Sequence, residues 1–225
     1  MTDHRTLEEE LSLPPKVAIL CLLKIGQREH LEELAKGHLR FRRLSFYSEM
    51  ESQEQPYHDK NEGTVGVLQA EYVKFLISFG GEQVEVSRDT GLLDQVIVQE
   101  LRTRMVFCLH AIHTGEWTFR EFDVDVVPEF RRSLQVPKSM GNHGDHAWVL
   151  TDCQQFRARL LEAVRRRNLG LQGRLVRYVD FTATHGYVPS DIRGFVKSAE
   201  YREEREYRIQ LDTGGTVVTV RPRTS

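Results

Sequence analysis

Long apolar runs are missing from this chain. The longest, such as Val17 to Leu23, falls far short of the roughly 20 residues that cross a bilayer, and the opening MTDHRTLEEELSLPP holds no apolar signal segment. The expectation is a cytoplasmic protein with no membrane partner. Cysteine is scarce as well: Cys21, Cys108 and Cys153 are odd in number, far apart and without a CxxC, which excludes a disulfide framework and predicts buried thiols. An excess of charge is also lacking. Lys+Arg 31 against Asp+Glu 33 leaves a net charge of -2, so the chain is neither a polycationic nucleic-acid coat nor an acidic tail protein. Any nucleic-acid contact has to come from a local patch. The familiar catalytic signatures are absent too: there is no GxxxxGK[ST], no GxGxxG after a strand, no HExxH and no GxSxG. No repeat of roughly 20 to 50 residues is visible, which excludes solenoids and propellers.

What is present is an ordinary globular composition, 40% hydrophobic and 28% charged over 225 residues, enough for one large domain with its own core. Residues 1–15 read as a loose arm or a short capping helix ending at Pro14-Pro15, and 16–225 as a single α+β domain. Val17 to Leu23 reads as a buried strand ended by Gly26, Gln27 to Lys36 as a helix capped near Gly37, and His38 to Arg42 as a second strand. Leu44 to Met50 suits one helical turn, and 51–63 a long polar loop. Val65 to Ile77, Gly80-Gly81 and Gln83 to Ser87 predict a hairpin, and Gln95 to Glu100 and Met105 to Ile112 further strands, the latter central.

A helix is expected at Val127 to Leu134, an irregular stretch after Met140 and a strand at Ala147 to Leu150. Asp152 should cap a helix in which Phe156, Leu160 and Val164 recur every four residues. A strand follows at Arg174 to Phe181. The chain should close in a hairpin, Glu206 to Leu211 and Thr216 to Val220, across the turn Asp212 to Gly215. The sum is a mixed or antiparallel sheet core with flanking helices.

Chemistry concentrates near the C-terminus, where Phe195-Val-Lys197 precedes Tyr201-Arg-Glu-Glu-Arg-Glu-Tyr-Arg-Ile209. Glu204 and Glu206 are two apart, so at the start of a strand both face one side and can oppose developing positive charge. The competing reading of Glu/Arg alternation is a solvated, self-neutralising edge. Upstream, Asp59-Lys-Asn-Glu62-Gly63 sets two carboxylates beside a Lys in a loop, suited to a ribose or a metal ion, or simply to a turn. Arg42 and Arg43 are candidates to clamp a pyrophosphate.

Taken together, FVKSAEYREEREYRI, the early strand–helix–strand unit and the Asp59 to Gly63 loop resemble the ADP-ribosyltransferase superfamily, in particular small bacterial proteins of toxin or phage-defence type. The resemblance covers the two ends of the chain better than its middle. It implies NAD as substrate and transfer to a macromolecular acceptor, RNA, DNA or protein, with an antitoxin or chaperone as a further partner. By resemblance Glu206 is the catalytic glutamate and Glu204 the preceding acid that helps choose the acceptor. Tyr178 or Thr182 supplies the middle motif. The early strand carries Cys21 and Lys24 but no His or Arg where the family anchors NAD. That departure keeps open an inactive binding module of the same fold, and Asp59 and Glu62 keep open a metal-dependent nuclease.

Two other features compete for a function. Arg157, Arg159, Arg165, Arg166 and Arg167 form a basic face on the helix after Asp152, a candidate phosphate-binding stripe, with an ordinary solvated helix face as the alternative. Cys108, His110, His113, His143 and His146 are zinc-type ligands, but Cys108 and His110 face one side of a strand while His113 faces the other, which argues against a zinc site.

Overall fold

The computed structural model describes residues 5–12, 17–49, 59–72, 75–86, 95–100, 104–115, 127–212 and 219–220. Its elements run β1 Arg5–Thr6, α1 Leu7–Leu11, β2 Ile19–Gly26, α2 Arg28–Ala35, β3 Leu39–Arg40, β4 Arg42–Arg43, α3 Leu44–Glu49, β5 Thr64–Gln69, β6 Phe75–Phe79, β7 Glu82–Val86, β8 Gln95–Gln99, β9 Arg104–His113 and α4 Val127–Ser133. After a 3-10 turn at Lys138–His143 come β10 His146–Leu150, α5 Cys153–Arg165, β11 Gly170–Leu175, β12 Arg177–Val179, β13 Thr184–Tyr187, β14 Val196–Ser198, β15 Glu206–Asp212 and β16 Thr219–Val220. The class is α+β, as the sum of the expected strands and helices predicts.

The larger sheet is antiparallel in the order β10-β2-β9-β15-β11, with β4 added on β9. One face is apolar. Leu22, Phe107, Leu109, Ala111, Ile209 and Leu211 alternate along three neighbouring strands and pack on Leu34 of α2 and on Leu160, Ala163 and Val164 of α5, the period-2 pattern of a half-buried antiparallel sheet. The opposite face carries Cys108, His110, Glu206, Arg208 and Gln210, since Glu206 pairs with His110 and Arg208 with Cys108 across the ladder. Side chains directly opposite one another share a face.

A second sheet, β1-β13-β5-β8, together with the parallel pair β12–β14, builds another apolar cluster from Leu7, Leu11, Val67, Val179, Phe181, Val188 and Val196. The arm expected at the N-terminus is thus built, over its described part, from β1 paired with β13 and from α1, capped by reciprocal Thr6–Glu9 bonds and burying Leu7 and Leu11.

Several boundaries depart from the sequence expectations. The strand expected over Val65 to Ile77 divides into β5, in the second sheet, and β6, which forms its own hairpin with β7 across Gly80-Gly81. Arg174 to Phe181 divides at Val176 between β11 and β12, which belong to different sheets. The closing hairpin does not form: β15 pairs with β9 and β11, and β16 pairs with β3 instead. Both faces of β15 are buried, so its neighbours are chosen by long-range packing rather than by the adjacent turn. The expected features at 1–4, 13–16, 50–58, Val73, Lys74, Ser87 and 213–218 lie outside the described residues.

Candidate functional site

Three remote segments meet over the polar face of the larger sheet. The first is the turn Asp59 to Gly63, wound by its own residues. The Asn61 amide donates to Asp59 Oδ1 at 2.8 Å, the Glu62 amide donates to the Asp59 carbonyl at 3.0 Å, and Gly63 at φ 74° takes the left-handed step. Gln99 Nε2 holds the turn from β8 through the carbonyls of Lys60 and Glu62. The second segment is the β12–β14 pair, whose register sets Tyr178 beside Lys197. The third is the run from Glu204 into β15.

Glu204 and Glu206 do not share a strand face as the spacing predicts. A 3-10 segment, Ala199–Glu204, ends at Glu204, and Arg205 takes the left-handed conformation at φ 43° and ψ 49° before β15 begins at Glu206. The carboxylates still converge, on a lysine. Lys197 Nζ lies 2.6 Å from Glu204 Oε2, 3.6 Å from Glu206 Oε2 and 3.9 Å from Glu62 Oε2.

Arg208 sits at the centre, 1% exposed. Its Nε donates to Glu206 Oε1 at 2.6 Å and its Nη2 to Glu206 Oε2 at 3.0 Å. Nη1 and Nη2 reach the two oxygens of Glu62 at 2.7 and 3.1 Å, and Nη1 also reaches the Gly194 carbonyl at 2.6 Å. One guanidinium therefore clamps two carboxylates from residues far apart in sequence, which its planar fork of donors permits. Within the Glu/Arg alternation Glu206 and Arg208 are buried, which overturns the solvated-edge reading at those two positions, whereas Arg202 and Glu203 are exposed.

The environments drive the two glutamates apart. Burial alone would raise the Glu206 carboxyl, but Arg208 and Lys197 outweigh it and hold the group ionised, at about 2. Glu204 is raised, by burial first and by the neighbouring Glu206, against the pull of Lys197. Asp59 is pushed up to about 6 by burial and by Glu62. Its Oδ2 has no hydrogen-bond partner although the residue is 0% exposed. Tyr178, its phenol raised by burial, accepts the Glu206 amide N–H at 2.8 Å.

Asp59, Glu62, Tyr178, Glu204 and Glu206 are thus brought together. Arg42 is half-buried with its guanidinium 4.0 Å from the ring centroid of Phe46, and Arg43 is exposed next to it on β4. Thr182 stands outside the cluster, on an exposed turn where its amide and hydroxyl both donate to Asp180 Oδ1. Arg157, Arg165, Arg166 and Arg167 are exposed along and just after α5, Arg166 paired with Glu162 and Arg167 reaching the Ala163 carbonyl.

Sequence reasoning assigned no role in this site to Lys197 or Arg208, nor to Tyr47 of α3, whose phenol is raised by burial and lies within electrostatic reach of Cys108, Glu206 and Arg208. The signal for Arg208 was the period-2 step from Glu206, legible only once that face is known to be covered. Among the described residues no group of three or more His, Cys, Asp or Glu is arranged to hold a metal ion, and both oxygens of Glu62 are engaged by Arg208. No helix of the described residues is long and apolar enough to cross a membrane. Comparison with family models, curated proteins and solved structures gave no match, so the chemistry rests on the geometry.

Proposed function

We propose that the chain is an ADP-ribosyltransferase-like enzyme that takes NAD as substrate and modifies a macromolecule, in a toxin or phage-defence role. The observation that carries this reading is the geometry of the two glutamates: both converge on Lys197, Glu206 buried in the clamp of Arg208 and Glu204 at the outer edge of the cluster. Carboxyls whose environments drive them apart take different roles in a reaction. NAD would supply a glycosidic bond whose cleavage builds positive charge on the ribose. Glu206 opposes that charge from a fixed, water-poor position, the arrangement in which electrostatic stabilisation is strongest. Arg208 and Lys197 keep it ionised. Glu204, with 19% of its side chain exposed, orients the acceptor at the outer edge of the cluster. Asp59 Oδ2 offers an open acceptor for a ribose hydroxyl, and Arg42 and Arg43 supply cations for a pyrophosphate. The arginines of α5 suit a nucleic-acid acceptor, with protein as the other class and an antitoxin or chaperone as a further partner.

One observation favours a second reading, a binding module of the same fold without turnover. Arg208 engages both oxygens of Glu206, and Glu206 is only 5% exposed. The test is incubation of the protein with NAD labelled on the adenine side and with bacterial lysate split into protein and RNA fractions, comparing wild type with Glu206→Gln. Label entering a fraction with wild type alone supports the enzyme and identifies its acceptor class. NAD retained by both proteins without label transfer or nicotinamide release supports the binding module.

A further inference from the structure

His110 stands directly across the ladder from Glu206, so both side chains lie on the charged face of the larger sheet. Its Nδ1 is 2.7 Å from the carbonyl oxygen of Glu204. A carbonyl oxygen can only accept, so Nδ1 carries the hydrogen and donates. Burial, the leading influence, lowers the imidazole from its ordinary value despite that hydrogen bond, with Arg205 acting in the same direction. The ring is therefore neutral at physiological pH, and its Nε2 is a bare lone pair. That nitrogen is buried without a hydrogen-bond partner, on a residue only 3% exposed.

Buried acceptors without donors are rare in native proteins and ask for an explanation. The strong donors of the cluster are committed elsewhere: Lys197 donates to Glu204 Oε2, and Arg208 to Glu62, Glu206 and Gly194. Glu204 Oε2 is itself occupied by the Lys197 ammonium; of the cluster's buried acceptors without a donor, Asp59 Oδ2 lies on the loop turn, and His110 Nε2 is the one on the ladder position opposite Glu206. The titratable groups around it are His113 on its own strand, Glu206 on β15, Glu204 and Arg205 before that strand, and His143 of the 3-10 turn, whose own ring is lowered to about 4 by burial and by Lys24 and Lys197.

We propose that His110 is the general base of the transfer reaction, its Nε2 taking the proton of the acceptor nucleophile as that nucleophile bonds to the ribose. The inference rests on the ADP-ribosyl-transfer reading. In the step, the bond between ribose C1′ and the nicotinamide nitrogen breaks with its electron pair leaving on nicotinamide. The acceptor's lone pair forms the new bond to C1′, and the acceptor's proton passes to Nε2. The resulting imidazolium faces ionised Glu206 across the ladder and gives up its proton before the next turnover.

The test combines kinetics with NMR. Asn at 110 can keep a donor for the Glu204 carbonyl while removing the ring base. The expected result for His110→Asn is a transfer rate about 10²- to 10⁴-fold lower, with loss of the acidic limb of the wild-type pH–rate profile and partial recovery in imidazole buffer. His110→Gln should be equally slow. Wild-type transfer matched by His110→Asn with an unchanged pH profile overturns the base role and leaves the enzyme reading standing. Absence of nicotinamide release from wild type overturns both. Independently of activity and of how the variants fold, nitrogen-15 histidine spectra of the wild-type protein should show His110 neutral at pH 7, protonated on Nδ1 alone. A hydrogen on Nε2 in those spectra overturns the proposal.

Discussion

Replacing Arg208 by Met tests whether the charge cluster is held as the geometry implies. Met occupies a similar volume, so the change removes the five hydrogen bonds of the guanidinium while most of the packing stays. Of the cations, Glu62 and Glu206, 1% and 5% exposed, then keep Lys197, at 3.9 and 3.6 Å, beside the neutral donors Gly63 N–H on Glu62 and the Cys108 thiol on Glu206. Removing one partner of a buried ion pair costs about 3–5 kcal/mol, because the stranded charge has no water to return to. For a chain of this size that corresponds to a melting temperature lower by roughly 6–20 °C.

The pH dependence should change sign. In wild type the folded-state value of Glu206 lies below its unfolded value, so its contribution is present above about pH 4.5 and fades as pH falls toward about 2. In Arg208→Met burial of Glu206 is no longer offset by the guanidinium, so its carboxyl shifts up instead, and the variant should recover stability as the pH is lowered from 7 toward 5. Urea titrations followed by circular dichroism at several pH values measure both effects. Adding Glu62→Gln and Glu206→Gln to the variant should restore most of the stability. A destabilisation under about 1 kcal/mol with a pH dependence like that of wild type would refute the reasoning, since it would mean that water already screens the cluster.

Asp59→Asn should raise stability at pH 8 by about 1–3 kcal/mol and leave it unchanged near pH 3. The folded protein holds this proton more tightly than the unfolded chain, up to about 6 against 3.8, so ionisation costs stability as pH rises through that window; denaturant midpoints across pH check it. Arg205→Gly should be tolerated within about 1 kcal/mol, whereas Arg205→Val should cost about 1–3 kcal/mol, since φ 43° excludes a β-branched residue; both are measured by urea unfolding. If the α5 face meets nucleic acid, the triple change of Arg165, Arg166 and Arg167 to Glu should weaken RNA binding. The slope of log affinity against log salt should flatten by about 0.7 for each phosphate of a single strand that is no longer neutralised, read by filter binding over a salt series.

The strands and helices with clear periodicity were legible in the sequence. α5, with Asp152 capping it through the Gln155 amide, and the central strand β9 follow from local pattern alone. What failed was partner choice. Thr219–Val220 sits next in sequence to a strand it does not pair with, because pairing across a turn competes with burial against a distant edge. The acids of the candidate site were legible as residue types in loops and at strand starts, and Asp59, Glu62, Tyr178, Glu204 and Glu206 do meet. Their cations were not. Arg208 reads as half of a solvated alternation until the Asp59 turn and β14 are seen to cover that face, and His110 reads as a zinc-type ligand until the Glu204 carbonyl fixes its tautomer.

The most direct test of the central claim is nicotinamide release from NAD by wild type, Glu206→Gln and Glu204→Gln, each first shown to be folded by circular dichroism. The account predicts release by wild type, a rate at least about 10²-fold lower in Glu206→Gln, and release within about tenfold of wild type in Glu204→Gln, whose carboxyl serves the acceptor. No release by wild type, or equal release by wild type and Glu206→Gln, would contradict it.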